Sequence, residues 1–364
     1  HSLWSHLRRV LLMGLVGGLL LGGCLPRSCQ QRGTEALFPA DSTSRQMAKQ
    51  VPVDTLQALS ATTGTQAHPL AYPRTVQFRP DGGLVVSDAE RNSLFHFGPD
   101  ATLRHEDADP AYAVPYLIGA RGDTLLVFNA EADRVDRVVD TTRLADRAWP
   151  VQRPAAETLV YLRATETALY AKMLGEEVAP FVARLGADGT PTARASLRGP
   201  YWRHSGPLRV WGDTLVSLSG FRPMVNLLPL GFEDEARADS MALKGFNSPM
   251  LERSYAYAQG DASKPPLLAA SATAAGNTLY VLNLRPGWVR IDAYDRQGRL
   301  QRRLIEDSRT GSRNFYPVDL AARRTEEDIV FAVAVRSPEA RLELYRWPRP
   351  NPADTTAAPA QSAP

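Results

Sequence analysis

The feature that most restricts the fold is a unit that recurs along the chain. Its clearest copy is TVQFRPDGGLVVSDAERNSLFHFGPDATL, Thr75 to Leu103, which reads as strand, turn, strand, loop, strand, turn and strand. The heart of the unit is a polar turn followed by a short apolar run. Asp81-Gly82-Gly83 leads to LVVS, Gly122-Asp123-Thr124 to LLVF, and Glu166-Thr167-Ala168 to LYAK. Gly212-Asp213-Thr214 leads to LVSL, Gly276-Asn277-Thr278 to LYVL, and Glu326-Glu327-Asp328 to IVFAV. With Leu84, Leu125, Leu169, Leu215, Leu279 and Ile329 as markers, the spacings are 41, 44, 46, 64 and 50 residues. Each copy continues through a polar loop into a second alternating run: SLFHF, RVDRVV, PFVARL, VNLLPL, VRIDAY and RLELYRW. Apolar strands precede most copies, often opened by proline, as in YPRTVQF, VPYLIGA, GPLRVW, PPLLAAS and FYPVDLA. Hairpin-type turns follow three of them, at Pro99-Asp100-Ala101, Asp188-Gly189 and Asp295-Arg296-Gln297-Gly298.

A sheet of about four such strands has two apolar faces and cannot bury them alone, so neighbouring units must cover them. A closed ring of units covers both faces of every sheet. The expectation is therefore an all-β chain, a six-bladed β-propeller of four-stranded antiparallel blades over residues 50–348. The last copy ends near Trp347 with only three strands, and Gln50 to Leu59, QVPVDTLQAL, is expected to supply the missing outer strand. The 64-residue spacing is expected to hold an insertion over residues 230–264 with a helical middle.

The pattern YP…DGGLVVSDAERNSLFHF resembles the NHL and SMP-30-like group of six-bladed, TolB-like propellers. Their blades run proline, strand, Asp-Gly, an LYVAD-type strand, an Asn-containing loop and a strand. Asp81-Gly82, Leu84 to Asp88, Asn92 and Phe97 follow that order. The resemblance implies the fold and little about function, because this superfold hosts many activities. SMP-30-like lactonases hold a divalent cation with a Glu, Asn and Asp set in the central channel, so the resemblance implies a metal-dependent, Ca-type lactonase-like hydrolase as the alternative function. Asp88, Asn129 and Asn283 end the second strands of their copies with oxygen ligands that suit Ca²⁺. The same residue types start turns by bonding their own backbone, which is the expectation here.

At the N-terminus Arg8-Arg9 precede VLLMGLVGGLLLGGC. The apolar run is too short and glycine-rich to span a bilayer and suits a signal peptide. Leu21-Gly22-Gly23-Cys24 resembles the lipobox of bacterial lipoproteins. Residues 1–23 are thus expected to be a lipoprotein signal peptide, with Cys24 the lipidated residue and membrane attachment. Residues 24–49 are expected to be a flexible tether, and 349–364 a disordered Pro/Ala-rich tail. Cys24 and Cys29 are the only cysteines, so no disulfide framework is expected. The expected location is the cell envelope, on a bacterial membrane.

Nothing in the sequence announces catalysis. It holds no G-x-S-x-G elbow, P-loop, G-x-G-x-x-G or H-E-x-x-H motif. His68, His96, His105 and His204 show no metal-ligand spacing, and no cofactor is expected. A formal charge of +3 argues against a nucleic-acid partner. The loops between second and third strands carry Arg91, Arg134, Arg222, Arg285 and Arg336, while the opening strands bring Tyr72, Tyr116, Tyr255, Tyr257 and Tyr316 to the same rim. Tyr, Trp and Arg anchor interfaces. Tyr201, Trp202, Arg203, His204, Arg222, Arg285 and Trp288 are therefore expected to bind an acidic protein or glycan, in a module that binds or scaffolds, with the lactonase-like hydrolase as the alternative.

Overall fold

The computed structural model describes residues 41–155, 157–307 and 314–348. After helix α1 (Asp41–Gln50) comes strand β1 (Val53–Thr62), whose place is set by strands much later in the chain. Then β2 (Pro73–Phe78), β3 (Leu84–Asp88), β4 (Ser93–Phe97) and β5 (Leu103–Asp107) form one antiparallel sheet. A second consists of β6 (Pro115–Arg121), β7 (Thr124–Asn129), β8 (Arg134–Val139) and β9 (Thr142–Pro150). Strands β10 (Leu159–Ala164), β11 (Leu169–Leu174), β12 (Phe181–Leu185) and β13 (Pro191–Ser196) form a third. The fourth pairs β14 (Leu208–Trp211), β15 (Thr214–Leu218) and β16 (Met224–Pro229) with β18 (Asp239–Ala242), while the two-residue β17 (Ala236–Arg237) lies parallel on β13. Helix α2 (Leu251–Gln259) leads to β19 (Ala269–Ala275), β20 (Thr278–Asn283), β21 (Arg290–Tyr294) and β22 (Leu300–Glu306). The chain closes with β23 (Tyr316–Arg324), β24 (Asp328–Ser337) and β25 (Arg341–Pro348).

The fold is thus an all-β, propeller-like arrangement of four small sheets and one eight-stranded sheet ordered β19-β20-β21-β22-β1-β25-β24-β23. Strand β1 makes that larger sheet. Its first half, Val53 to Leu56, runs parallel to β22, and its second half, Gln57 to Thr62, runs antiparallel to β25. The expected outer edge on β25 is therefore present, with an additional grip on β22. Leu56 is fully buried between them.

The second strands explain why the sheets stack. All six repeat markers fall in β3, β7, β11, β15, β20 and β24, and every residue of β3 and β11 is buried. Successive side chains point to opposite faces, so each strand serves two cores. Val85 joins a cluster with Leu117 and Val127 of the next sheet, while Val86 joins one with Ala332 and Leu344 of the last. Leu126 and Phe128 meet Leu162 and Met173, and Tyr170 and Leu174 meet Leu208 and Leu215. Val216 and Leu218 meet Ala272 and Val281, and Leu282 meets Phe331 and Val333. The apolar clusters thus lead from sheet to sheet and return to the first.

Two sequence expectations change. The span expected as a tether, 24–49, ends in helix α1, which buries the small residues Ser44 and Ala48 and reaches α2 through an Arg45–Glu252 ion pair of 2.9 Å. The first part of the expected insertion is not extra material, since β18 is the fourth strand of the fourth sheet. Residues 1–40 and 349–364, including Cys24, lie outside the described residues.

Candidate functional site: the axial channel

The strands that open the meanders, β2, β6, β10, β14, β19 and β23, contact one another in that order, and β23 returns to β2. Glycine lets them crowd. Gly119 in β6 has φ +148°, and a Cβ there would lie 2.7 Å from the Ala164 carbonyl oxygen of β10. The enclosed axis holds two cavities, each lined by all of these strands: one of about 300 Å³ where the strands begin, and one of about 250 Å³ where they finish.

A polar partition separates them. Arg209 of β14 donates to Asp319 of β23 at 2.5 Å, to Ser271 Oγ of β19 at 2.9 Å and to the Ala272 carbonyl at 2.6 Å. Ser271 Oγ donates to Asp319 Oδ1 at 2.6 Å, and Asp319 Oδ2 accepts the Val76 N–H at 2.9 Å. This network ties four inner strands together and fully engages the one carboxylate among the described residues lining either cavity.

At the wider mouth, Arg74 is held by tyrosines. Its Nε donates to Tyr116 Oη at 3.0 Å, its Nη2 also reaches that oxygen, and Nη1 donates to Tyr72 Oη at 3.2 Å. The guanidinium carbon sits 5.0 Å and 5.1 Å from the Tyr72 and Tyr116 ring centroids, and Arg336 lies 4.1 Å from the Tyr72 ring. No carboxylate pairs with Arg74 among the described residues. Burial works against its charge, but the Tyr116 and Tyr72 hydroxyls outweigh that and leave its pKa above the ordinary arginine value. Tyr161, Phe128 and Leu159 supply apolar wall. Of the three arginines that line this cavity, Arg153 pairs with Asp133 and Arg209 with Asp319, so among the described residues Arg74 is the one left without a carboxylate, and an apolar wall with such a cation suits an organic acid group.

The expected rim residues form two other groups. Tyr201–His204 is a single 3-10 turn whose Trp202 ring meets Tyr257 of α2 edge-on at 4.9 Å, with Arg203 5.6 Å from the Trp202 ring. Tyr201 donates to Glu176 at 3.2 Å. His204 and Arg222 are 1% and 4% exposed, so neither offers a partner a contact surface. Helix α2 covers neighbouring residues of this rim, Tyr257 against Trp202 and Ser254 donating to the Phe221 carbonyl, while His204 is held by Asn226 and the Arg198 carbonyl. Burial lowers the pKa of Arg222 to about 10, the Arg203 charge adding to it. Arg285 belongs to the second group, donating to the Asn247 carbonyl, and burial likewise lowers it to about 10. Trp288 is partly buried.

The oxygen ligands considered for a cation are otherwise committed. Asp88 accepts the backbone N–H groups of Ala71, Tyr72, Glu90 and Arg91. Asn129 accepts from the Ala113 N–H and donates to Asp136, and Asn283 donates to Asp292 and the Asn247 carbonyl. Among the described residues no group of three His, Cys, Asp or Glu side chains comes together as a metal site.

Arg163, Arg209 and Asp319 were not singled out from the sequence. A signal existed: each is a charged residue inside an otherwise apolar strand, as in LRVW and YPVDLA.

No family model and no curated protein matches the chain. Solved structures do. A catalytically inactive virginiamycin B lyase from Staphylococcus aureus, crystallised with quinupristin, aligns at TM-score 0.50 and 10% identity, covering 79% of this chain and 88% of that one. A calcium-binding regucalcin from Agrobacterium tumefaciens aligns at TM-score 0.49 and 12% identity over 83% of this chain and 98% of that one. A Myxococcus xanthus glutaminyl cyclase aligns at 0.42 and 11% over 82% and 100%. The likeness to the lyase shows a shared β-propeller fold alone.

Proposed function

We propose that this chain is a six-bladed propeller that binds an acidic group of a protein or glycan partner in the mouth of its axial channel. On this reading the eight-stranded sheet is two blades, β19 to β22 and β23 to β25 with β1, and β1 is the seam that closes the ring. The single observation that carries the binding role is Arg74, a half-buried cation with tyrosine partners and no carboxylate, at the head of a cavity of about 300 Å³. That volume admits one side chain or one sugar, not a folded surface. The module is a receptor for an acidic tip rather than an enzyme.

The test is calorimetric titration with glucuronic acid and with an acetylated aspartate dipeptide. At least one should bind the wild type, and Arg74→Gln should weaken it by ~tenfold or more, the worth of a lost charge-assisted hydrogen bond. No binding by either probe, or equal binding to Arg74→Gln, overturns the reading.

The envelope location belongs to the same proposal and rests on sequence alone, Arg8-Arg9, the short apolar run and Leu21-Gly22-Gly23-Cys24. If Cys24 carries the anchor, Cys24→Ala releases the protein from membranes on fractionation. Retention of the variant with unchanged processing contradicts it.

A further inference from the structure

The narrower cavity contains a guanidinium that the protein leaves unused. Arg163, on β10, lines the space of about 250 Å³ beyond the Arg209–Asp319 partition. It makes no hydrogen bond or ion pair with any described residue, and its Nε is sealed from solvent without a partner. Asp319 could have neutralised it, but its two oxygens already serve Arg209, Ser271 and the Val76 N–H. Burial, with the Arg209 charge behind it, lowers the Arg163 pKa to about 10, the mark of a cation short of compensation. A second orphan lines the same cavity: the Gln77 amide oxygen is buried with no partner. Buried polar groups without partners are rare and costly, and two facing one void call for a guest that satisfies both.

We propose that this cavity is a second ligand site, separate from the mouth, that takes a small hydroxy acid, its carboxylate on Arg163 and its hydroxyl donating to Gln77. The guanidinium fork matches a carboxylate's two oxygens. Arg163 brings one net positive charge, because Arg209 and Asp319 cancel, which selects a monoanion. The cavity has room for a molecule no larger than a single sugar, and a two- or three-carbon hydroxy acid fits within it. The partition keeps this guest from sharing the mouth, so the two sites report independently.

The experiment is thermal unfolding of the purified protein in glycolate, acetate, phosphate or chloride, at matched ionic strength and pH 7.5. Glycolate should raise the midpoint of the wild type saturably, and acetate, which lacks the hydroxyl, should do so more weakly. Arg163→Gln should abolish the preference for glycolate over acetate, which depends on the hydroxyl reaching Gln77, while Arg74→Gln keeps that preference. In chloride alone Arg163→Met should unfold no earlier than the wild type, because it removes an uncompensated buried charge. A wild type that ignores glycolate overturns the proposal whatever the variants do. So does a stronger response to phosphate than to either carboxylate, or a preference for glycolate over acetate that survives Arg163→Gln. Loss of the response in Arg74→Gln alone would place the acid in the mouth and overturn the second site while leaving the first.

Discussion

Acidification should unfold this protein through His204. Its Nε2 lies 2.9 Å from the Arg198 carbonyl and its Nδ1 3.0 Å from Asn226 Nδ2, while Asn226 Oδ1 accepts from Ser240 Oγ at 3.0 Å. The network assigns the neutral tautomer: Nε2–H donates to the carbonyl and Nδ1 accepts from the amide. A second proton on Nδ1 would face a donor, in a buried pocket near Arg222, Lys172 and Arg203. Burial is the largest cause, and the pKa falls from 6.5 to about 4. The unfolded chain therefore binds a proton that the folded chain refuses. The stabilisation is complete above pH 6.5 and is lost as pH falls toward 4. At about 1.4 kcal/mol per unit, His204 withdraws about 2 kcal/mol by pH 5 and about 3 kcal/mol by pH 4. His96, lowered to about 4 mainly by burial, adds a similar loss. The assay is urea unfolding at pH 7.5 and pH 5. His204→Asn keeps an oxygen acceptor for Asn226 and cannot protonate, so its loss across that interval should be smaller than that of the wild type by about 2 kcal/mol. Equal losses in the two proteins would refute the buried, neutral assignment.

Two further outcomes follow from the architecture. Deleting residues 1–40 should leave the melting temperature unchanged, whereas deleting 1–62 removes β1 with its buried Leu56 and exposes the β22 and β25 edges, so the product should aggregate or melt far lower; equal melting of the two truncations contradicts the seam. Gly119→Ala should cost about 1–3 kcal/mol, because its φ of +148° and the Ala164 carbonyl leave no room for Cβ; a change within urea-titration error would mean that β6 and β10 are not so close.

The second and third strands were legible because the second strands are continuous apolar runs, the third alternate apolar with polar residues, and turn residues bound both. The runs SLFHF, RVDRVV and VRIDAY lie within β4, β8 and β21 or overlap them closely. Strand β10, LVYLRA, lacks the proline that opens its counterparts and passed unnamed. Outer strands such as β5, LRHED, and β18, DSMA, face solvent on one side and carry little apolar signal. Helix α1 docks through Ser44 and Ala48, side chains too small to stand out in a polar run. The site was legible only in part. Tyr72 and Tyr116 were recognised by type, but their meeting on Arg74 needs strands 42 residues apart. His204 and Arg222 misled because both are buried, His204 among partners as distant in sequence as Lys172 and Asn226, which no local pattern couples to it.

The most direct measurement is a crystal structure of the protein with the tighter-binding acidic probe. The carboxylate should lie against Arg74 and the Tyr116 hydroxyl inside the channel mouth, with the body of the ligand along Tyr161 and Leu159. A ligand bound instead on the Tyr201–Trp202 face, or anywhere else outside the channel, with Arg74 still held by its tyrosines alone, would contradict the axial binding site.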